Sequence, residues 1–238
     1  MRRLAVLIRK IDYGRVKHDN YVSLIWTFLT LGNPDLAAKL HHEGNAKKNA
    51  AYPQSRFRPY VFGVEAWPDE AGFTITFSSV QPEITATVMA GCRAALQKKE
   101  ALAIETHLFE VQKAIPIQDL IYIGKNMTLK ACSPVVASIR KNQTKTYLLY
   151  HENPEFWANR IARNLASRTH AYLGVAPREI KVVVMDAGKH IATVYKDTKI
   201  PGRYVTVKIY GEPEALQMAL YGGIGERTGS GFGMVMPV

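Results

Sequence analysis

Residues 221–238 read YGGIGERTGSGFGMVMPV, and how this stretch is read decides the fold. Six glycines fall within it, at positions 222, 223, 225, 229, 231 and 233, so their spacing matters more than their number. Glycine-rich loops ordinarily cradle a phosphate in front of a helix. A Walker loop places Lys and Ser or Thr directly after its last glycine, whereas Gly233 is followed by Met234 and Val235, which read as a strand. A dinucleotide fingerprint needs three glycines in register before a helix, and GIGERT lacks the third. The pattern that holds is Gly223-Ile224-Gly225, five residues, then Gly231-Phe232-Gly233. Two apolar residues, each bracketed by glycines, predict a folded-back corner with Ile224 and Phe232 packed inward. Backbone amides turned outward would make an anion nest, with Arg227 at the tip. A glycine corner without a ligand, set between a helix and an edge strand, fits the same composition.

Working outward, residues 212–221 (EPEALQMALY) read as a short helix, and residues 202–210 (GRYVTVKIY) as the strand before it. A long basic hairpin separates that strand from REIKVVVMD at 178–186. Residues 154–173 carry Trp157, Ile161 and Leu165 at helical spacing. TLKACSPVVASI at 128–139 reads as a strand, followed by a basic loop, RKNQTKTY. The first half repeats the order. RRLAVLIRK is a strand, and residues 20–31 are a helix with Ile25, Phe28 and Leu29 on one stripe. A second helix follows, with Asn33 as N-cap, Pro34 at its first position and Gly44 just past its end. RPYVFGVEAW, GFTITFSS, a helix from Pro82 and HLFEVQKAIPI complete the half. Strand–helix–strand–strand–helix–strand, twice, predicts an α+β chain of two tandem ferredoxin-like (RRM-like) domains, residues 1–125 and 126–238, with the glycine-rich loop in the second.

The chain has 31 Lys and Arg against 20 Asp and Glu, a formal charge of +11 spread over both halves. An excess of this kind attracts polyanions, nucleic acid first. No basic amphipathic helix stands out for a membrane surface, and no apolar stretch approaches the length of a membrane span. Cys92 and Cys132 stand alone, which suits buried thiols in a reducing compartment. The apolar run after Arg2 and Arg3 is too short for a signal peptide. A cytoplasmic protein is expected.

The glycine pattern, together with the strand, short helix and loop in IPGRYVTVKIYGEPEALQMALYGGIGERTGSGFG, resembles the signature of the CRISPR-associated repeat-RNA endoribonucleases, the sixth Cas family of the RAMP superfamily. In the first half the resemblance rests on Leu40-His41-His42-Glu43-Gly44, similar to the Leu-His-x-x-Gly helix end that carries that family's catalytic histidine. It implies metal-independent cleavage of precursor transcripts within the CRISPR repeat to give crRNAs. The ribose 2′-OH attacks the adjacent phosphate, leaving a 2′,3′-cyclic phosphate and a 5′-OH. By this resemblance His41 is the general base or acid and Lys47 the charge-stabilising cation, with His42, Lys48 and Tyr21 as alternates. A neighbouring tyrosine assists in some members, and neither Tyr21 nor Trp26 matches it clearly. Helix geometry also favours His41. It lies about 100° from the buried Leu40 position and stacks over Ala37, at the edge of the stripe, whereas His42 lies about 200° round. Either histidine could instead simply complement a helix C-terminus.

No cofactor is implied, and the histidines do not form an HExxH-type metal motif. The implied partners are CRISPR repeat RNA and other Cas proteins of an effector complex, with a monomer or homodimer as the assembly. Two further readings compete: a non-catalytic RAMP RNA-binding subunit of such a complex, and a ferredoxin-like protein gripping an anionic metabolite. For phosphate contacts the sequence offers Gly223, Gly225, Arg227, Gly231 and Gly233 in the loop and Lys189, Lys196, Lys199 and Arg203 in the hairpin. Arg160, Arg163 and Arg168 lie on the helix after Pro154. Further basic residues are Lys47, Lys48, Arg56 and Arg58, and Arg140, Lys141 and Lys145. Clusters of this kind position a nucleic acid without reading its bases.

Overall fold

The computed structural model describes residues 1–12, 14–42, 58–120, 124–141 and 144–238. Strand β1 (Arg3–Lys10) buries Leu4, Val6 and Ile8 on one face, the alternation that a half-buried strand requires. Helix α1 (His18–Gly32) buries Leu24, Ile25, Phe28 and Leu29 as one stripe. Helix α2 (Pro34–His42) begins as expected: Asn33 Oδ1 accepts from the Leu36 amide at 3.0 Å, and Pro34 takes the first position. Strands β2 (Tyr60–Ala66) and β3 (Gly72–Ser79), helix α3 (Pro82–Lys98), a short β4 (Leu102–Ile104) and β5 (His107–Ile117) follow. The sheet is antiparallel in the order β2-β3-β1-β5-β4. The expected Gly44 helix stop lies outside the described residues.

The second half contains β6 (Asn126–Ala131), the hairpin β7 (Ser138–Lys141) and β8 (Thr144–Tyr147), and α4 (Pro154–Leu173). Then come β9 (Lys181–Asp186), the hairpin β10 (His190–Tyr195) and β11 (Thr198–Arg203), β12 (Thr206–Tyr210), α5 (Pro213–Gly222) and β13 (Val235–Pro237). Its sheet order, β13-β6-β12-β9, repeats the ferredoxin-like arrangement of the first half. The fold is two tandem ferredoxin-like units.

Three local expectations change. The strand expected over 128–139 ends at Ala131. Pro134 has no amide to offer a ladder, and the chain resumes at Ser138 paired with β8. The RKNQTKTY segment is therefore half of a hairpin rather than a loop. Gly202 and Arg203, expected at the start of the following strand, belong to β11. Of the two cysteines, Cys92 is buried and Cys132 exposed.

The two units are bonded together rather than tethered. Arg3, fully buried, donates from Nη2 to the Leu220 carbonyl at 2.8 Å, and Ser78 Oγ donates to the Tyr221 carbonyl at 2.9 Å. Val80, just past β3, packs into the second core. These contacts bring the C-terminal end of α5, and with it the glycine corner, against the first sheet.

Candidate nucleic-acid interface

The glycine corner folds back on itself as expected, and Ile224 and Phe232 are both fully buried. The two glycine brackets meet each other, the Ile224 amide donating to the Gly233 carbonyl at 2.9 Å. Gly233 has φ +73°, and a Cβ there would sit 1.9 Å from the Ile224 carbonyl oxygen, so only glycine closes the corner. Gly231, at φ +83°, lies against the Phe62 ring of β2, which docks the corner on the first unit.

Of the amides expected to face outward as an anion nest, five besides Ile224 turn to protein acceptors. The Gly233 amide donates to Pro134, Glu226 to Val136, Gly231 to Thr228, Ser230 to Arg227 and Gly223 to Ala219. A buried backbone donor must be satisfied, and here the protein satisfies it. Gly223, Gly225, Gly231 and Gly233 are themselves buried, so they shape the corner.

Arg168 also departs from expectation. It is 1% exposed on the inner face of α4. Its guanidinium donates to the carbonyls of Gly222 and, at 2.9 Å, Gly223. A helix end leaves carbonyls without intrahelical partners, and Arg168 fills that role for α5 from inside the core. Burial lowers its pKa to about 10. It is a buttress, not a phosphate contact.

Arg227 is the corner's outward feature. It adopts a left-handed conformation, φ +59°, and its guanidinium lies 5.9 Å from the ring centres of both Tyr147 (β8) and Tyr195 (β10). The side chain is thereby held between the two hairpins. Its neighbour Glu226 accepts from Ser138 Oγ at 2.6 Å and pairs with Lys145 at 2.8 Å and Arg160 at 3.4 Å. Burial pushes the Glu226 carboxyl up, but Lys145, Ser138 and Arg160 outweigh it and hold the carboxyl below its ordinary value. Arg160 and Lys145 are thus engaged by protein, while Arg163 is exposed on the same side of α4. In the β10–β11 hairpin Lys189, Lys196 and Lys199 are exposed. Arg203 instead donates to Ala187 and Gly188 and lies over the Tyr150 ring.

His18, at the start of α1, escaped the sequence reading. Its Nε2 lies 2.5 Å from the Ser230 carbonyl, so that nitrogen donates. The ring packs on Phe232, Tyr195 and Tyr21. Burial holds the imidazole below its ordinary pKa, a shift partly opposed by Ser230 and Asp19. The Asp19 carboxylate accepts from the Lys196 amide at 3.2 Å. The N-terminus of α1 therefore pins both the glycine corner and the hairpin tip. Nothing in the local pattern could signal a contact between residues so far apart in the chain.

At the C-terminal end of α2, His41 is exposed beside the buried Leu40 and Ala37, as its helix position predicts. Its ring stands edge-on to Trp26, centres 5.3 Å apart. The Arg58 guanidinium lies 5.4 Å from the centre of the Trp26 ring. The stem of Arg58 runs along Gly229 of the corner, where a Cβ would meet Arg58 Cγ at 2.4 Å. His41, Trp26, Arg58 and Gly229 thus form one row linking the histidine to the glycine corner. Tyr21 packs edge-on against Phe73 and His18 instead, and burial raises its pKa. Lys47, Lys48 and the His42 side chain lie outside the described residues, as do Arg56 and the Lys141 side chain.

The fold and site together are those of a tandem ferredoxin-like protein with a buried glycine corner and an exposed histidine at the end of α2. The family model for CRISPR associated protein Cas6, C-terminal, matches residues 116–237, and the chain belongs to the Cas6 family. Solved structures share its whole fold. A Cas6-related protein from Pyrococcus furiosus superposes with TM-score 0.76 at 18% identity, over 100% of this chain and 98% of that one. A RAMP protein binding different RNA substrates gives 0.74 at 19%, over 100% of both chains. A Cas6 product complex gives 0.70 at 13%, over 100% of this chain and 99% of that one. No curated protein matches the sequence. Among the described residues no helix is long and apolar enough to cross a membrane.

Proposed function

We propose that this chain binds CRISPR repeat RNA and cuts precursor transcripts within the repeat to release crRNAs, without a metal ion. The observation that carries the reading is His41. In a chain of this family it is an exposed imidazole set at a helix end against Trp26, on the row that leads to the glycine corner. An imidazole in that place can take the 2′-OH proton or protonate the leaving 5′-oxygen. The products are a 2′,3′-cyclic phosphate and a 5′-OH. Lys47, in the segment after α2, supplies positive charge to the phosphate as the bond order changes. Arg227, Arg163, Lys189, Lys196 and Lys199 hold the backbone, in a cytoplasmic protein whose domains divide at residues 125 and 126.

The test is cleavage of end-labelled repeat RNA in EDTA by the wild type and by His41→Ala. Cleavage by the wild type, lost in the variant, is expected. Tight binding without cleavage by the wild type would instead assign the chain to the non-catalytic RAMP RNA-binding subunits of effector complexes. Full activity in the variant would move the chemistry off His41.

A further inference from the structure

We infer that Arg58 is a second catalytic cation, contacting the scissile phosphate beside His41; the inference rests on the cleavage reading above. Four observations place it there. Its guanidinium and the His41 ring both lie against the same indole, at 5.4 and 5.3 Å from its centre. Its stem is fixed along Gly229, so the charge is held in position before any ligand arrives. Its Nη1 is buried and, among the described residues, has no hydrogen-bond partner. Its charge also reaches the hydroxyls of Tyr60 on β2 and Tyr172 on α4. Burial raises both, Tyr60 to about 12, so they remain neutral donors that do not compete for the guanidinium as anions.

A buried donor without a partner is unfavourable, and a fixed guanidinium fork with an unpartnered N–H matches a phosphate oxygen. Groups whose centres lie 5.4 and 5.3 Å from one ring centre are at most about 10.7 Å apart, close enough for both to reach one phosphodiester through hydrogen bonds of about 2.8 Å. In the step itself the 2′-oxygen forms a bond to phosphorus while the bond to the 5′-oxygen breaks. His41 handles the proton. Arg58 transfers none, and it stabilises the extra negative charge on the non-bridging oxygens.

The experiment is single-turnover cleavage of labelled repeat RNA, with Kd measured in parallel, for the wild type, Arg58→Ala, Arg58→Met and Arg58→Lys. Arg58→Met keeps the stem against Gly229 and Trp26 and so stands in if Arg58→Ala unfolds. The expected result is a rate reduced by about 10²-fold in the Met and Ala variants, with Kd changed by less than about tenfold. Arg58→Lys should recover part of the rate, and millimolar guanidinium should partly rescue Arg58→Ala. A folded Arg58→Met that cleaves within about threefold of wild type overturns the inference. So does a rate loss that disappears at saturating protein, since Arg58 would then only bind. A wild type that does not cleave at all would remove the function reading instead, and the two failures are distinct.

Discussion

The glycine corner and the His41 end of α2 lie at the two ends of the row formed with Trp26 and Arg58, and they are built in opposite ways. The corner is buried, internally hydrogen-bonded and buttressed from behind by Arg168. The histidine is exposed and held by a ring contact at a helix end. What makes the family recognisable in sequence is therefore a packing device. The proton transfer would fall to an exposed side chain at a helix end. The difference predicts that substitutions in the corner damage the fold, while substitutions at the helix end damage only turnover.

The strongest challenge to that contrast is Gly233→Ala. With φ +73° and a carbonyl at 1.9 Å from the new methyl, the corner cannot close. We expect about 3 kcal/mol or more of destabilisation, or failure to fold, seen as a lowered melting temperature or loss of soluble protein. A variant that melts like wild type would mean that the corner is not structural. Arg168→Met comes next. It leaves the carbonyls of Gly222 and Gly223 unpartnered inside the core, for an expected loss of about 2–4 kcal/mol by denaturant unfolding.

The joint at His18 should give a smaller, pH-dependent effect. Its docked pKa lies below that of a free imidazole, so both states are neutral well above about pH 6.5 and the joint is fully stable there. As pH falls through that value the undocked state takes up the proton first, and stability declines until the docked imidazole titrates as well. Asp19, the neighbouring carboxylate, moderates the effect. His18→Gln, which keeps a donor for Ser230, should melt close to wild type at pH 8 and lose the extra decline between pH 6.5 and 5. An unchanged pH profile in that variant would remove His18 from the joint. The smallest effect is expected at Lys199, exposed on β11. Lys199→Ala should weaken RNA binding only severalfold and lower the slope of log K against log salt by about 0.7.

Most of the fold was legible because strand alternation and helical stripes are local. Leu4, Val6 and Ile8, or Ile25, Phe28 and Leu29, identify their own faces. Arg168 was legible too, since it follows Ile161 and Leu165 at seven- and three-residue spacing on the buried stripe of α4, but its charge argued for the surface. The amides of the glycine corner could not be assigned from spacing, because their acceptors, Pro134 and Val136, come from a segment about 100 residues earlier in the chain. The same holds for His18 with Ser230 and for Arg58 with Gly229. His41 was singled out by the resemblance of Leu40–Gly44 to a Leu-His-x-x-Gly helix end, with its angular position on the helix in agreement; its neighbour Trp26 lies on a different helix, and only the packing of α1 against α2 brings the two together.

The central claim, that the corner grips while the helix end cuts, is tested most directly by measuring Kd and single-turnover cleavage rate together for His41→Ala and Arg227→Ala. His41→Ala should bind repeat RNA within about threefold of wild type and cleave about 10²–10⁴-fold more slowly. Arg227→Ala should bind more weakly and, at saturating protein, cleave at nearly the wild-type rate. Parallel loss of binding and rate in both variants, or retained cleavage in His41→Ala, would contradict the account.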